Sequence, residues 1–244
     1  MRRSVQAVEA DWSQAPNYSY RERDVESKHN SPATTKTYQV LMIDGSPYNR
    51  LVAIDDRPLS GGEQTVEDRK LHNEILRREH ESSHERSRRI AKFEKERRRD
   101  HAMLLDMIQA FDFEPAGEEM VDGHVCWVFD ARPKRGFQPK DHETKVLLGM
   151  RGRLWIDKST YQWVRVQAEV VKPVGFFGFI AKVGPGTRFL LEQEPVADNL
   201  WLPKSFSVHV KASAFGFIDE SSIDDETYTA YIPMAKASAM LSMH

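Results

Sequence analysis

The chain has 244 residues, of which 40% are hydrophobic and 30% charged, and its formal net charge is −2 at pH 7. This length and apolar fraction allow a buried core, which excludes a disordered chain. The near-neutral charge gives no overall attraction to nucleic acid or to an anionic membrane. We expect no membrane span, because no run approaches the roughly 18 apolar residues that a span needs. We also expect no export signal in MRRSVQAVEADWSQ, because this segment lacks an apolar stretch.

The first part of the chain predicts three strands. After a short helical lead, apolar and polar residues alternate in NYSYRERDVES and in both halves of TKTYQVLMIDGSPYNRLVAIDD. Asp44 and Gly45 supply the turn between these halves, and Pro58 ends the hairpin. We therefore place the first strands within residues 18–62.

A charged segment without proline or glycine follows and predicts a helical insertion over residues 63–113, with its helix from Glu63 to about Phe111. Its middle, Arg77–Arg89, has no aliphatic or aromatic side chain, so we expect it to be solvated on all sides. An unbroken helix would run roughly 70 Å, longer than the domain, which predicts a bend at Ser82-Ser83. Apolar residues near its end recur at helical spacing and predict packing on a sheet: Leu104, Met107, Ile108 and Phe111.

Strand patterns return over residues 117–232, before a weakly patterned tail, 233–244. Asp122-Gly123 and Asp198-Asn199 each separate two alternating apolar runs, as hairpin turns do. Consecutive strands with short turns predict an antiparallel sheet. The fold class is therefore mainly β (α+β), in a single domain over residues 1–244.

Three segments carry a resemblance to a known family. They are the strand Gly152–Asp157 (GRLWID), which ends in a turn, the valine-rich strand that follows it, and Trp201-Leu202-Pro203. From about Tyr18 to Ile232 the chain resembles the bacterial outer-membrane lipoprotein-sorting family, which has the LolA/LolB-like fold. The resemblance implies an antiparallel half-barrel sheet with helices on its concave side and an apolar cavity for an acyl chain or lipoprotein. It also implies a periplasmic or outer-membrane-associated location. The long charged helix departs from the small carriers of that family.

Aromatic residues are the candidate ligand contacts. The segment KPVGFFGFIAKVG crowds apolar rings between glycines, which favours either a core closed under a loop or the lip of an apolar cavity. Each of three tryptophans in the predicted strands is likewise either a core residue or a ligand contact. The predicted contacts are Trp155, Trp163, Phe176, Phe177, Phe179, Ile180 and Trp201. We expect no catalytic residue, no metal ligand and no cofactor.

The segment His80-Glu81-Ser82-Ser83-His84 matches HExxH, the zinc-peptidase pattern, and gives an alternative function. On a continuous helix, His80 and His84 would lie one turn apart with Glu81 beside them. Arg77 and Arg88 on the same face disfavour a divalent cation, and no apolar residue nearby can wall a pocket. We expect the match to reflect composition.

The charged helix gives a second alternative. In RIAKFEKERRRD the cations alternate with carboxylates and no aromatic platform accompanies them, so we expect a solvated helix face without nucleic-acid binding. A helix of this kind can instead dock a second envelope protein, as in stress sensors that share the half-barrel. The preferred prediction is a non-enzymatic envelope protein that binds an acyl chain. Its alternatives are a zinc-dependent peptidase and an interaction module acting through the 63–111 helix.

Overall fold

The computed structural model describes residues 1–28, 31–139, 144–176, 181–214, 218–219, 221–234 and 236. The helices are α1 (Arg2–Gln14), α2 (Gly61–Glu79) and α3 (Ser83–Ala110), and 3-10 turns cover Ala15–Asn17 and Thr144–Gly149. The strands are β1 (Tyr18–Lys28), β2 (Thr34–Ile43), β3 (Ser46–Ile54), β4 (Arg57–Pro58), β5 (Phe111–Val121), β6 (His124–Pro133), β7 (Met150–Asp157), β8 (Trp163–Val170), β9 (Val174–Phe176), β10 (Ala181–Val183), β11 (Arg188–Ala197), β12 (Leu200–Val210), β13 (Ala212–Ala214), β14 (Ile218–Asp219) and β15 (Ser222–Pro233).

One sheet organises the described part of the chain. It has eleven strands in the order β4-β3-β2-β1-β15-β12-β11-β8-β7-β6-β5, and its neighbouring strands are antiparallel. The last strand, β15, lies between β1 and β12 and so joins the two ends of the chain. The outermost strands, β4 and β5, do not pair with each other, so the sheet is open. The predicted mainly β, antiparallel fold is confirmed. A smaller sheet has the order β14-β13-β10-β9.

The hairpin turns lie where the sequence predicts them. Asp44 and Gly45 between β2 and β3 have φ of 46° and 87°, and Asp122 and Gly123 between β5 and β6 have φ of 51° and 86°. Two consecutive residues with positive φ form the tight turn that matches the twist of paired strands. Asn199, with φ of 57°, lies in the turn between β11 and β12.

The charged segment forms two helices. Ser60 caps α2 and Ser82 caps α3, each in a reciprocal capping box with the glutamate three residues on, Glu63 and Glu85. The predicted bend is confirmed, because the helix is interrupted at residues 80–82. The predicted end moves to Ala110, because β5 begins at Phe111 and pairs with β6 from there.

The expectation that Arg77–Arg89 is solvated on all sides is wrong. Arg78 is only 6% exposed. Its Nη1 donates to the carbonyl oxygens of Ile43 and Ser46 at 2.6 and 2.9 Å, and its Nη2 donates to that of Pro47 at 3.1 Å. A β-turn therefore supplies acceptors that replace water around this guanidinium. Glu74, one turn earlier on α2, accepts from Nε at 2.6 Å.

Separate apolar clusters pack along the sheet. One joins the end of α3 to strands β5–β8 at one end of the sheet: Ala110, Phe111, Ala131, Leu147, Met150 and Val170. A second brings α1 onto β7 and β8: Val8, Leu154, Ile156 and Trp163. A third holds the cysteine: Val121, Cys126, Val128, Trp155, Val164 and Trp201. A fourth packs α2 on the β2–β3 hairpin: Leu41, Ile43 and Leu71.

Candidate functional site

A cleft of about 420 Å³ lies between α1, α3 and strands β1, β11, β12 and β15. We call it the aromatic cleft, because five of its residues are Trp12, Tyr20, Trp201, Tyr228 and Tyr231. Its other lining residues are Val8, Asp11, Ala15, Arg97, His101, Gln193, Leu202 and Pro203. The volume falls in the range of about 300–1,000 Å³ that small-molecule sites occupy.

Trp12 of α1 contacts α3 in the helical wall of the cleft. Its ring stacks on His101 with the centroids 4.4 Å apart, and the Arg97 guanidinium lies 4.4 Å from its centroid. Arg97 also donates to the Trp12 carbonyl oxygen through Nη2 and to Glu94 through Nη1 at 2.9 Å. These contacts attach the middle of α3 to α1. Burial lowers the pKa of His101, which favours its neutral form against the ring.

Three tyrosines form the wall on the sheet. The ring centroid of Tyr20 lies 5.4 Å from that of Tyr231 and 5.8 Å from that of Tyr228. The register of β1 and β15 shifts next to Tyr20, where Ala230 has φ of 54°. This bulge explains how two tyrosines three residues apart reach the same ring, since regular alternation would send them to opposite faces. Burial raises the pKa of all three hydroxyls, so they stay neutral.

Asp11 is a buried carboxyl in the wall of the cleft, only 3% exposed. Its Oδ1 accepts a hydrogen bond from the Trp201 backbone N–H at 3.2 Å, whereas its buried Oδ2 has no partner in the described part of the chain. Burial raises the pKa of Asp11 to about 6, although the Trp201 N–H and the Gln162 side chain act in the opposite direction. The buried Oε1 of Gln193, on the sheet wall, is likewise without a described partner.

A group of carboxylates lies on β1 and β15 beside the tyrosines. Glu22 is paired across the strands with Tyr228, and Asp24 with Glu226. Burial, followed by repulsion from Glu226, Asp24 and Asp224, raises the pKa of Glu22 to about 7. Burial also raises the pKa of Glu226, despite the hydrogen bond from Tyr228. Acidic side chains therefore flank the tyrosine wall without lining the cleft itself.

The predicted ligand-contact residues do not all lie together in the described part of the structure. Trp201 lies in the aromatic cleft. Trp163 donates through Nε1 to Ser4 and packs with the cluster under α1, and Trp155 donates through Nε1 to Glu119 at 2.8 Å. Phe177, Phe179 and Ile180 lie outside the described residues. Of Phe176 only the backbone is described, as the end of β9.

A second, almost wholly apolar cavity lies under the end of α3. Met107 and Ile108 line it together with Leu154, Trp163 and Val166, as the helical stripe predicts. Its volume is about 40 Å³. An engineered apolar cavity that binds benzene has a volume of about 150 Å³. This cavity therefore has no room for an alkyl chain.

The HExxH segment is the joint between α2 and α3. His80 is the C-cap of α2 and Ser82 is the N-cap of α3, so the premise of two imidazoles one turn apart on one helix is wrong. Hydrogen bonds from Arg89 and Arg77 lower the pKa of Glu81 to about 2, which makes it a weak base. Within the described ranges, no group of three His, Cys, Asp or Glu residues is placed to hold a metal ion.

Ser207, His209 and Asp225 meet on β12 and β15. Nε2 of His209 lies 3.2 Å from Ser207 Oγ and 3.0 Å from Asp225 Oδ1, and Ser207 also donates to Asp225 directly. A catalytic triad uses opposite imidazole nitrogens for its serine and its aspartate. Here both partners face the same nitrogen, so the three residues form no proton relay.

Several solved structures resemble this chain. A DUF1329 family protein from Desulfovibrio piger is 15% identical over 94% of this chain and 91% of that one, with a TM-score of 0.34. A putative outer membrane lipoprotein-sorting protein domain from Vibrio parahaemolyticus is 10% identical over 93% and 91%, with a TM-score of 0.37. A LolA superfamily protein from Nitrosomonas europaea is 6% identical over 91% of each chain, with a TM-score of 0.31.

The resemblance inferred from the sequence is thus confirmed at low identity. At these identities and TM-scores it carries no argument about a ligand. No protein-family model matches the chain, and no curated protein matches it in sequence. Among the described residues, no helix is long and apolar enough to cross a membrane.

Sequence reasoning missed most of the aromatic cleft. The signal lay in α1, where Ser4, Val8, Asp11 and Trp12 share one helical face. Ser4 and Asp11 interrupt the apolar stripe on that face, so the pattern does not register as a buried helix. Both are nevertheless buried, because Ser4 accepts from Trp163 and Asp11 accepts from Trp201.

Proposed function

We propose that this chain is a non-enzymatic protein of the bacterial cell envelope that binds the apolar part of a ligand, such as an acyl chain, in the aromatic cleft. The observation that carries the proposal is an open volume of about 420 Å³ walled by two tryptophans and three tyrosines. Large, rigid rings offer apolar contact area at a low cost in side-chain entropy. The apolar cavity under α3 is about ten times smaller, at 40 Å³, and so is the weaker candidate.

Binding would be passive, because transfer of an alkyl group from water gains about 0.8 kcal/mol per buried CH₂. Complete burial of a ten-carbon chain would gain about 8 kcal/mol, equivalent to a dissociation constant near 1 μM before the entropy cost of association. Partial burial brings the expected constant into the range between about 1 μM and 1 mM. Such a ligand can be passed on to a partner or a membrane, as a periplasmic or outer-membrane-associated carrier requires.

Calorimetric titration with decanol tests this function, because decanol has an alkyl chain and no charge. Ala15 lines the cleft at the end of α1, so Ala15→Trp places an indole in the ligand volume. Ser13 is exposed on the same helix and does not line the cleft, which makes Ser13→Trp the matched control. We expect Ala15→Trp to weaken decanol binding by about tenfold or more and Ser13→Trp to leave it unchanged. Absence of decanol binding by the wild type, or equal losses in both variants, would overturn the proposal.

The docking of a second envelope protein on the charged helices stays a prediction. Its support is that α2 and α3 present many exposed charged side chains while Arg78 and Arg89 hold both helices against the β2–β3 turn. A surface held in this way is preorganised for a partner. A partner captured by the wild type and lost when the exposed Arg69 and Arg88 are both replaced by glutamate, with decanol binding retained, would support it.

A further inference from the structure

The unpartnered oxygen of Asp11 is the feature of the aromatic cleft that the binding of an alkyl chain leaves unexplained. Asp11 is only 3% exposed, and its Oδ1 accepts from the Trp201 N–H. The Gln162 side chain also lies close enough to lower the pKa of the carboxyl, but Oδ2 accepts no hydrogen bond within the described residues. A buried acceptor without a hydrogen bond is costly, and native structures contain few of them. Because Asp11 lines the cleft, a ligand can supply the absent donor.

Some polar groups of the cleft already have hydrogen-bond partners within the protein, and others do not. Gln193 Oε1 is a second buried oxygen without a described partner. Arg97, which carries donors, is already engaged with Glu94 and with the Trp12 carbonyl oxygen. A bound group that carries several N–H donors would complement both acceptors, whereas a carboxylate would add further acceptors.

Charge and ring faces favour a cation in the same place. Glu22 is paired across the strands with Tyr228, and the Tyr228 hydroxyl donates to Glu226, so two carboxyl groups lie against the tyrosine wall. The Arg97 cation of the opposite wall is already paired with Glu94. The ring faces of tyrosine and tryptophan also attract cations. A quaternary ammonium would satisfy the rings but has no N–H for Asp11, so a primary ammonium fits the cleft best.

We propose that the aromatic cleft recognises a primary ammonium group joined to an apolar chain, with Asp11 Oδ2 and Gln193 Oε1 accepting its N–H donors. The inference rests on the proposed function, since the chain attached to the nitrogen occupies the same cleft. It adds the chemical class of the head group. The ammonium can belong to a free alkylamine or to a lipid head group.

The test compares four ten-carbon probes below their micelle concentrations at pH 7.5: decylamine, decanol, decanoate and decyltrimethylammonium. A hydrogen bond to a charged group contributes enough for an affinity difference of about 10- to 100-fold. We expect decylamine to bind the wild type that much more tightly than decanol, and decanoate to bind most weakly. Decyltrimethylammonium should fall below decylamine, because it has no N–H.

Asp11→Asn is the decisive variant, because asparagine keeps an acceptor for the Trp201 N–H and removes the charge. In this variant the preference for decylamine over decanol should fall from about 10- to 100-fold to about one. Gln193→Met gives an independent, smaller loss of decylamine binding if Asp11→Asn does not fold. Vesicles of phosphatidylethanolamine, with phosphatidylcholine as control, distinguish the two sources: selective co-sedimentation assigns a lipid head group, and its absence with decylamine bound assigns a free amine.

Equal binding of decylamine and decanol by the wild type would overturn the inference and leave the proposed function intact. So would unchanged decylamine binding in both the Asp11→Asn and Gln193→Met variants. Absence of binding by decanol and decylamine alike would instead overturn both.

Discussion

Glu81 and Arg89 form a bidentate ion pair across the break between α2 and α3. Nη2 of Arg89 donates to Glu81 Oε2 at 2.7 Å, and Nε lies 2.9 and 3.1 Å from the two carboxylate oxygens. Nη1 of the same guanidinium donates to Ser46 Oγ at 2.7 Å. The side chains are 4% and 15% exposed, so the pair is shielded from water. The most enzyme-like segment of the sequence therefore joins two helices to a β-hairpin.

Glu81→Gln should lower the free energy of unfolding by about 1–3 kcal/mol. The amide has one acceptor oxygen and no charge, so it cannot hold Arg77 and Arg89 together. Glu79→Gln, at an exposed position two residues before, should change it by less than about 0.5 kcal/mol. Urea unfolding measures both. Equal values for the two variants would contradict a structural role for Glu81.

Arg78→Met should be the most destabilising change in the helices, with a loss of about 3–5 kcal/mol. The variant leaves three carbonyl oxygens of the β2–β3 turn without their donor, and it removes one of the two arginines that donate to Glu74. Arg69→Met, at an exposed site of α2, is the control and should cost less than about 0.5 kcal/mol.

If Arg78→Met does not fold, Arg78→Lys is the second variant to measure. A lysine ammonium cannot reach three carbonyl oxygens in the planar arrangement of a guanidinium. We expect faster amide exchange in β2 and β3 while exchange in β7 and β8 is unchanged. An equal change in amide exchange rate in all of these strands would contradict a local effect of Arg78.

Ser82→Ala should cost about 1 kcal/mol, because Ser82 is the N-cap of α3 and shares a capping box with Glu85. Ser83→Ala, one residue further on and inside the helix, should be nearly neutral. His84→Ala should alter neither stability nor the zinc content of the purified protein. A stoichiometric zinc ion that His84→Ala removes would revive the peptidase interpretation.

The strands and turns were predictable because their signals are local. Asp44-Gly45 and Asp122-Gly123 adopt the positive φ values that the predicted tight turns require. The open antiparallel order follows from short connections, apart from the placement of β15 between β1 and β12. That long-range pairing has no local signature in the sequence.

The site was less predictable because contacts distant in sequence create it. Asp11 reads as a solvated helix residue until Trp201, 190 residues away, covers it. Arg78 reads as solvent-exposed until the carbonyl oxygens of a β-turn surround it. Residue type predicts burial well for apolar side chains, whereas for a charged side chain burial depends on partners that the pattern does not contain.

The end of β7 shows how a family-like motif can be structural. Asp157 Oδ1 accepts from the backbone N–H groups of Ser159 and Thr160 at 2.9 and 2.7 Å and from both of their hydroxyls. Burial raises its pKa, but these hydrogen bonds outweigh that effect and the pKa is lowered. Asp157→Ala should therefore cost about 2–4 kcal/mol in urea unfolding. Asp198→Ala, at the exposed turn between β11 and β12, is the control and should cost less than about 0.5 kcal/mol.

Stability should pass through a maximum near pH 5. Burial raises the pKa of Asp11 to about 6 and that of Glu22 to about 7, so the folded state binds more protons than the unfolded chain between these values and about 4. Stability therefore rises as the pH falls from about 8 to 5. Glu74 and Glu81 have their pKa values lowered to about 2 by arginine hydrogen bonds, so their contribution is complete above about 4.5 and is lost as the pH falls toward 2.

The Asp11→Asn variant measures how much the buried Asp11 carboxyl contributes to the pH dependence of stability. The variant should be more stable than the wild type at pH 8, by on the order of 2 kcal/mol, because it has no charge to bury beside Trp201. At about pH 3, which lies below the pKa of Asp11 in both the folded and the unfolded state, the two proteins should be nearly equal. Urea unfolding at intervals between pH 3 and 8 measures the difference. A constant difference across that range would show that Asp11 does not titrate with the raised pKa that its burial implies.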